Sequence, residues 1–194
     1  MSTATNTVIA LAFCVFSATA DVDRGVELYR QGKYKEAETE LRRAVEQDGS
    51  NARAQRFLGL ALLDQDKIED ASRHLNKADE IDPKGETKAA LACLYIAQKD
   101  FTKAEAALGE ASGEDLEYVR GLLHFHRKEY EEAVKDFETD LEKRPDNAYA
   151  HYYAGLAYNG MKRPDKMLTH FELFLRARPN APEAGKVRAV LKTM

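Results

Sequence analysis

The chain has 194 residues, 29 Lys and Arg against 33 Asp and Glu, and a formal net charge of −4. With both signs interspersed, that balance excludes the one-sided basic excess of a nucleic-acid-binding surface. Five prolines, eleven glycines and no low-complexity tract exclude a disordered linker; the length suffices for one cored domain or a short repeat array.

The first twenty residues, MSTATNTVIALAFCVFSATA, carry no Asp, Glu, Lys or Arg, so all 62 charged side chains lie beyond Ala20. Val8 to Phe16 is an apolar run too short to span a bilayer as a helix. It ends in Ala18-Thr19-Ala20, the small-x-small pattern that signal peptidase cleaves. We read residues 1–20 as an export signal, with an uncleaved buried or anchoring helix as the alternative. The signal has no Lys or Arg ahead of its apolar run, and Phe13 before Cys14 argues against a lipoprotein. Cleavage leaves Cys93 as the one cysteine, so stability must come from packing rather than a disulfide. It also leaves Asp21 to Gln31 as a first helix, with Asp21 suited to cap it. The expected location is the periplasm, the cell envelope or the exterior if cleavage occurs, and the cytoplasm or a membrane otherwise.

From there on the chain repeats itself. Gly25, Gly59, Ala92, Gly121 and Gly155 are each followed twelve residues later by Ala37, Ala71, Ala104, Ala133 and Met167. Four residues beyond those stand Leu41, Leu75, Leu108, Phe137 and Phe171, and Pro83, Pro145 and Pro179 close three of the units. Successive units are offset by 34, 33, 29 and 34 residues. The pattern is that of paired antiparallel helices, in which a small residue lets the backbones approach and large neighbours fill the gap. Proline stops the second helix, and Asn or Asp nearby starts the next, as in IDPKGE, RPDNAY and RPNAPE. The expected units run 18–51, 52–84, 85–113, 114–147 and 148–181. The third is five residues short, with ASGED at 111–115 as an abrupt junction. The tail from Pro182 to Met194 carries Ala184, Val187, Val190, Leu191 and Met194 along one stripe and reads as a capping helix over the last unit.

These anchors resemble the tetratricopeptide repeat (TPR), a helix–turn–helix unit of about 34 residues. The resemblance implies an all-α, right-handed solenoid of about five units that binds a peptide or protein along the concave surface of its first helices. It also implies that Met167 and Phe174, in slots where the family prefers alanine, loosen the last unit. Exported bacterial members commonly assist pilus, outer-membrane or cytochrome assembly.

Helical spacing picks out the concave stripe opposite the small anchors: Val22/Val26/Tyr29, Arg56/Leu60/Leu63, Ala89/Cys93/Ile96, Tyr118/Leu122/Phe125 and Tyr152/Leu156/Asn159, bordered by Arg30, Arg53, His126 and Tyr149. Part of this stripe must also pack between neighbouring repeats. The candidate partner-binding residues are Tyr29, Arg30, Arg53, Arg56, Leu60, Cys93, Tyr118, Leu122, Phe125, His126, Tyr149, Tyr152, Leu156 and Asn159. Arginines at one end and aromatic residues at the other suggest a partner segment with apolar or aromatic side chains and at least one carboxylate. The Lys and Asn clamp by which some relatives hold acidic C-termini of cytosolic chaperones is not written on this stripe. A carrier of lipid or of a small hydrophobic ligand is the alternative, and self-assembly through the terminal helix or an uncleaved N-terminus is a third reading.

The segment HFHRKEYEEAV at 124–134 suggests a metal site, but helical residues two apart diverge by about 200°, so His124 and His126 cannot share one ion. His124 is expected to face its own second helix, His126 the groove, and His74 and His170 the solvent. No phosphate loop, dinucleotide fingerprint or nucleophile elbow occurs, and carboxylates alternate with Lys and Arg as on a solvated helix surface. No catalytic residue, cofactor or metal is expected, nor a nucleic-acid partner or a stable membrane span after cleavage.

Overall fold

The computed structural model of the chain describes residues 21–193, so the export-signal reading of residues 1–20 lies outside the described residues, as does Met194. The described residues form helices joined by short turns. α1 covers residues 21–30 and is followed by α2 (Tyr34–Gln47), α3 (Ala52–Leu63), α4 (Ile68–Ile81) and α5 (Gly85–Ala97). Beyond these lie α6 (Phe101–Glu110), α7 (Leu116–His126), α8 (Tyr130–Lys143), α9 (Ala148–Gly160), α10 (Pro164–Ala177) and α11 (Ala184–Lys192). They make an all-α solenoid in which α3 pairs with α4, and so on to α9 with α10, while Gly25 of α1 lies against Leu41 of α2.

The pairing is set by the small-residue register. A Cβ built on Gly25 would stand 2.5 Å from Leu41 Cγ, one on Gly59 2.5 Å from Leu75 Cγ, and one on Gly121 2.6 Å from the Phe137 ring. Leu41, Leu75 and Phe137 are fully buried. In the last unit, Gly155 approaches Phe171 as closely, at 2.5 Å. Met167 and Phe174 are buried beside it, so the expected loosening does not reach the anchor. Their extra volume is taken up by Tyr149 and Tyr152, which pack on Phe174.

Each hairpin turns the same way. Gly32, Asp66, Lys99, Lys128 and Lys162, seven residues after each anchor, all adopt positive φ between 58° and 74°. The next residue's N–H reaches back to the first helix, as from Lys67 to Leu62 O and from Glu129 to His124 O, both 2.9 Å. This is the Schellman closure that satisfies end carbonyls, and four of the five units make it without glycine. The prolines act one residue past the C-caps Asp82, Arg144 and Arg178. Asn51, Asp100 and Asn147 cap α3, α6 and α9, accepting from backbone N–H groups three residues on at 3.0, 3.1 and 3.3 Å. In the full chain Asp21 is helical, and its carboxylate takes a hydrogen bond from Gln47 at 3.0 Å.

Two features depart from the repeat pattern. Asp140 sits fully buried in the slot that Ala44, Ala78 and Phe174 fill elsewhere. Asn147 donates to it at 2.7 Å, and the Arg144 guanidinium bridges it to Asp115 in the short junction. Burial pushes the Asp140 carboxyl up, opposed by Arg144 and Asn147. In the tail, Ala184 and Val187 are buried but Val190 is 39% exposed, so the apolar stripe of α11 is narrower than its sequence suggests.

The array winds until its ends meet. The guanidinium of Arg178, after α10, donates to the backbone carbonyls of Arg30 and Gln31 at the end of α1. Gly32 makes room, because a Cβ there would collide with Arg178.

Candidate functional site

The first helices line the inside of this wound array. Tyr29 and Arg30 from α1, Arg53, Arg56 and Leu60 from α3, Cys93 from α5 and Tyr118 from α7 surround one cavity of about 380 Å3. These are seven of the fourteen candidates. The wall is completed by residues that the stripe does not contain: Phe57, Glu86, Ala90, Val119, and Ser112 to Asp115 from the short junction. A junction of unusual length was the available sign that this turn would project inward.

Five of the other seven candidates are half-buried in packing contacts. Phe125 lies against Tyr130 and Tyr153, with centroids at 6.0 and 5.4 Å, and Tyr152 lies against Phe171, Phe174 and Tyr153. Leu122 and Leu156 are half-buried against the same core, as is Tyr149, whose hydroxyl also donates to Glu183 at 3.3 Å. His126 is exposed at the groove edge with its ring edge-on to Phe125, and Asn159 is exposed beyond it. From the stripe itself, Val22 and Val26 are buried against Ala44 and Ala54, between the first two units.

Each of the three arginines is paired with a carboxylate of the chain itself. Arg53 pairs with Asp23 at 2.5 Å, Arg30 with Glu114 at 3.3 Å, and Arg56 with Glu86. Arg56 also lies over the Phe57 ring, 5.1 Å from its centroid. These partners stand 30, 84 and 30 residues away, across repeats, so no periodicity within one helix reveals them.

Asp64 stands at the C-terminal end of α3. Solvent reaches its carboxylate, yet protein crowds around it, and this burial pushes its pKa up to about 6. The Tyr29 hydroxyl opposes the rise and the Glu183 carboxylate adds to it. Burial first, and then the Asp64 charge among others, raises the hydroxyl pKa values of Tyr29, Tyr34, Tyr118, Tyr149 and Tyr153. Burial likewise pushes the Cys93 thiol up, which leaves it a poor nucleophile.

Both histidines expected at the surface are corrected. His74 Nδ1 bonds Gln55 Oε1 at 2.7 Å, and His170 Nδ1 bonds His151 Nδ1 at 3.0 Å, each tying a second helix to its own first helix. Spacing within the second helix does not show that Gln55 and His151 of the first helix stand within reach of these rings. His151 Nε2 faces the Pro145 carbonyl at 3.2 Å and must donate to it, so its Nδ1 accepts from His170. His124 does face its own second helix, bonding Asp136 at 2.7 Å. Among the described residues no cluster of three or more His, Cys, Asp or Glu side chains is arranged to hold a metal ion. No helix among them is long and apolar enough to cross a membrane.

The family model described as "Tetratricopeptide repeat" matches residues 22–86, 89–141 and 118–182. The chain belongs to the tetratricopeptide repeat family. Its solved neighbours include the TPR protein TTC0263 from Thermus thermophilus, at TM-score 0.74 and 19% identity over 90% of this chain and 99% of that one. PilW, described as a type IV pilus biogenesis factor, superposes at TM-score 0.62 with 13% identity over 91% and 92% of the two chains. PilF from Pseudomonas aeruginosa does so at 0.60 with 19% identity over 84% and 78%. At these identities the likeness is one of fold. Among curated relatives, human Superkiller complex protein 3 is 32% identical over 122 residues, 58% of this TPR chain but 8% of that protein. The TPR chain therefore spans less than a tenth of that relative, and the match concerns repeats rather than a whole protein. The TPR fold supports a protein–protein interaction or scaffold role.

Proposed function

We propose that this TPR chain is a non-catalytic adaptor or assembly factor that holds a peptide or protein segment against its concave face. The observation that carries the reading is the 380 Å3 cavity, whose wall draws on four separate units and the 111–115 junction. A surface assembled from so many sequence-distant parts exists only in the folded array, as a recognition surface requires. Its mixed lining of Tyr29, Phe57, Leu60 and Tyr118 with ion-paired arginines matches the apolar centre and polar rim of protein interfaces. The test is capture of partners from the native host with wild type and with Leu60→Glu plus Tyr118→Ala, after circular dichroism shows both chains folded. Loss of the captured species in the variant supports the reading, and undiminished capture refutes it.

The size of the same cavity also suits a small hydrophobic ligand, since such pockets run from about 300 Å3 upward. Native mass spectrometry of the purified chain separates the two: a co-purifying small mass favours a carrier, a peptide favours the adaptor. The export signal read in residues 1–20 supports a role in the periplasm or cell envelope. N-terminal sequencing of exported protein is expected to start at Asp21, and a Met1 start in a soluble cytoplasmic fraction refutes that location.

A further inference from the structure

We propose that the third unit holds a socket for one large uncharged side chain, aromatic or aliphatic, of the segment bound on the concave face. The inference rests on the concave-face reading and names the chemistry that the face selects. Its floor is α5. At two stripe positions α3 carries Arg56 and Leu60, α7 carries Tyr118 and Leu122, and α9 carries Tyr152 and Leu156. At the same two positions α5 carries only Ala89 and Cys93. The cavity of about 380 Å3 is lined by these two small residues, by Phe57 and Leu60 from the unit before, and by Tyr118 and Val119 from the unit after. Small residues flanked by large ones leave a hole that a side chain from outside the chain can fill. The wall is already in place: the Phe57 ring stands edge-on to Tyr29 at 5.6 Å, with the Arg56 guanidinium 5.1 Å from its centroid. A preformed socket binds without first ordering its own side chains.

Charge decides what the occupant is. All six charged residues on the wall are ion-paired within the chain: Arg30 with Glu114, Arg56 with Glu86, Arg53 with Asp23 and Asp115 with Arg144. Three guanidinium groups thus stand against three carboxylates on the wall itself. A guest carboxylate or ammonium entering here exchanges one ion pair for another and gives up its own hydration among the rings. An uncharged side chain disturbs no pair and removes apolar surface from water. The carboxylate that the sequence suggested for the partner is therefore not what this socket selects.

The experiment titrates the full chain with benzyl alcohol, benzoate and benzylammonium, three probes of one ring and different charge, reading the methyl signals of Leu60, Ala89 and Val119 by NMR. Benzyl alcohol is expected to shift all three saturably, with a dissociation constant about threefold or more below that of either ion. Cys93→Leu fills the hole with the residue that three other units carry at this position, so the chain should still fold and melt cooperatively. It is expected to weaken benzyl alcohol about fivefold or more. Glu86→Gln unpairs Arg56 and should bring benzoate closer to benzyl alcohol. Absence of saturation with benzyl alcohol, equal or tighter binding of an ion, unchanged binding in a folded Cys93→Leu, or benzoate unmoved by Glu86→Gln overturns the proposal. A small mass that co-purifies with the wild type and is lost with Cys93→Leu overturns the side chain as occupant. Partner capture separates this from the reading beneath it. Capture lost with Leu60→Glu plus Tyr118→Ala but retained with Cys93→Leu leaves the concave face standing and overturns the socket.

Discussion

Gly121→Ala is the sharpest test of why these helices pair as they do. Alanine in a helix interior is ordinarily better than glycine by about 0.5–1 kcal/mol, because glycine loses more backbone freedom on folding. At position 121 the new Cβ would stand 2.6, 2.7 and 3.0 Å from Cε1, Cδ1 and Cζ of Phe137, against ordinary contacts near 3.5 Å or more. The ring cannot retreat, since it is fully buried and held by Tyr153, stacked at 6.1 Å, and Tyr118 at 6.0 Å. Overpacking of this kind costs about 1–3 kcal/mol, so the clash outweighs the propensity gain and a net loss of about 1–2 kcal/mol is expected. Gly109→Ala supplies the control, because among the described residues no atom beyond its chain neighbours and its own helix backbone lies within 4 Å of the added Cβ; it should gain up to about 0.5 kcal/mol near the end of α6. Urea midpoints of the three chains measure both effects. A double-mutant cycle with Phe137→Leu adds a rescue, since Ala92 and Leu108 already form that pair in the third unit, and the coupling should be favourable by about 1 kcal/mol. Gly121→Ala more stable than wild type would refute the backbone-approach argument.

Three further outcomes follow from other parts of the array. Arg178→Ala removes the donor that joins the last unit to the end of α1, so small-angle scattering should show a larger radius of gyration with a nearly unchanged melt, and an unchanged radius would deny the closure. Lys128→Gly relieves a non-glycine residue at φ 65° in an exposed turn and should stabilise the chain by about 0.5–1 kcal/mol in urea; a loss would mean the lysine makes a compensating contact. Burial, and then the charge of neighbouring His151, hold His170 down to about 4 from the ordinary value near 6.5. Between those values the unfolded chain takes up a proton that the folded chain refuses, so this contribution is complete above 6.5 and is lost as pH falls toward 4. His74 and His151 are shifted in the same direction, and His170→Gln should flatten the acid limb of a stability–pH profile; an equally steep limb would remove His170 as a cause.

The one-dimensional pattern determined a good deal about this protein. Small residues recurring at 25, 59, 92, 121 and 155, with large ones sixteen positions later, dictate which face of each first helix meets which face of its partner. That relation is local, confined to a hairpin of about thirty residues, and helical periodicity suffices to write it. The same locality let the 3.6-residue period set His124 and His126 on different sides and place His124 on its own second helix, where Asp136 holds it.

What the tertiary structure decided was everything carried between units. Arg30 reaches Glu114, Arg56 reaches Glu86 and Arg178 reaches the end of α1, because the array winds through an angle that accumulates over several repeats. That angle depends on each crossing and on the short third unit, and no single hairpin encodes it. So the aromatic residues Phe125, Tyr149 and Tyr152 came to lie half-buried against neighbouring rings, while Glu86 and the 112–115 turn, outside every stripe, came to line the cavity. The fold was legible because its rules act over one helical turn; the ion pairs around the cavity were not, because charges 30 to 84 residues apart meet only once the array has wound.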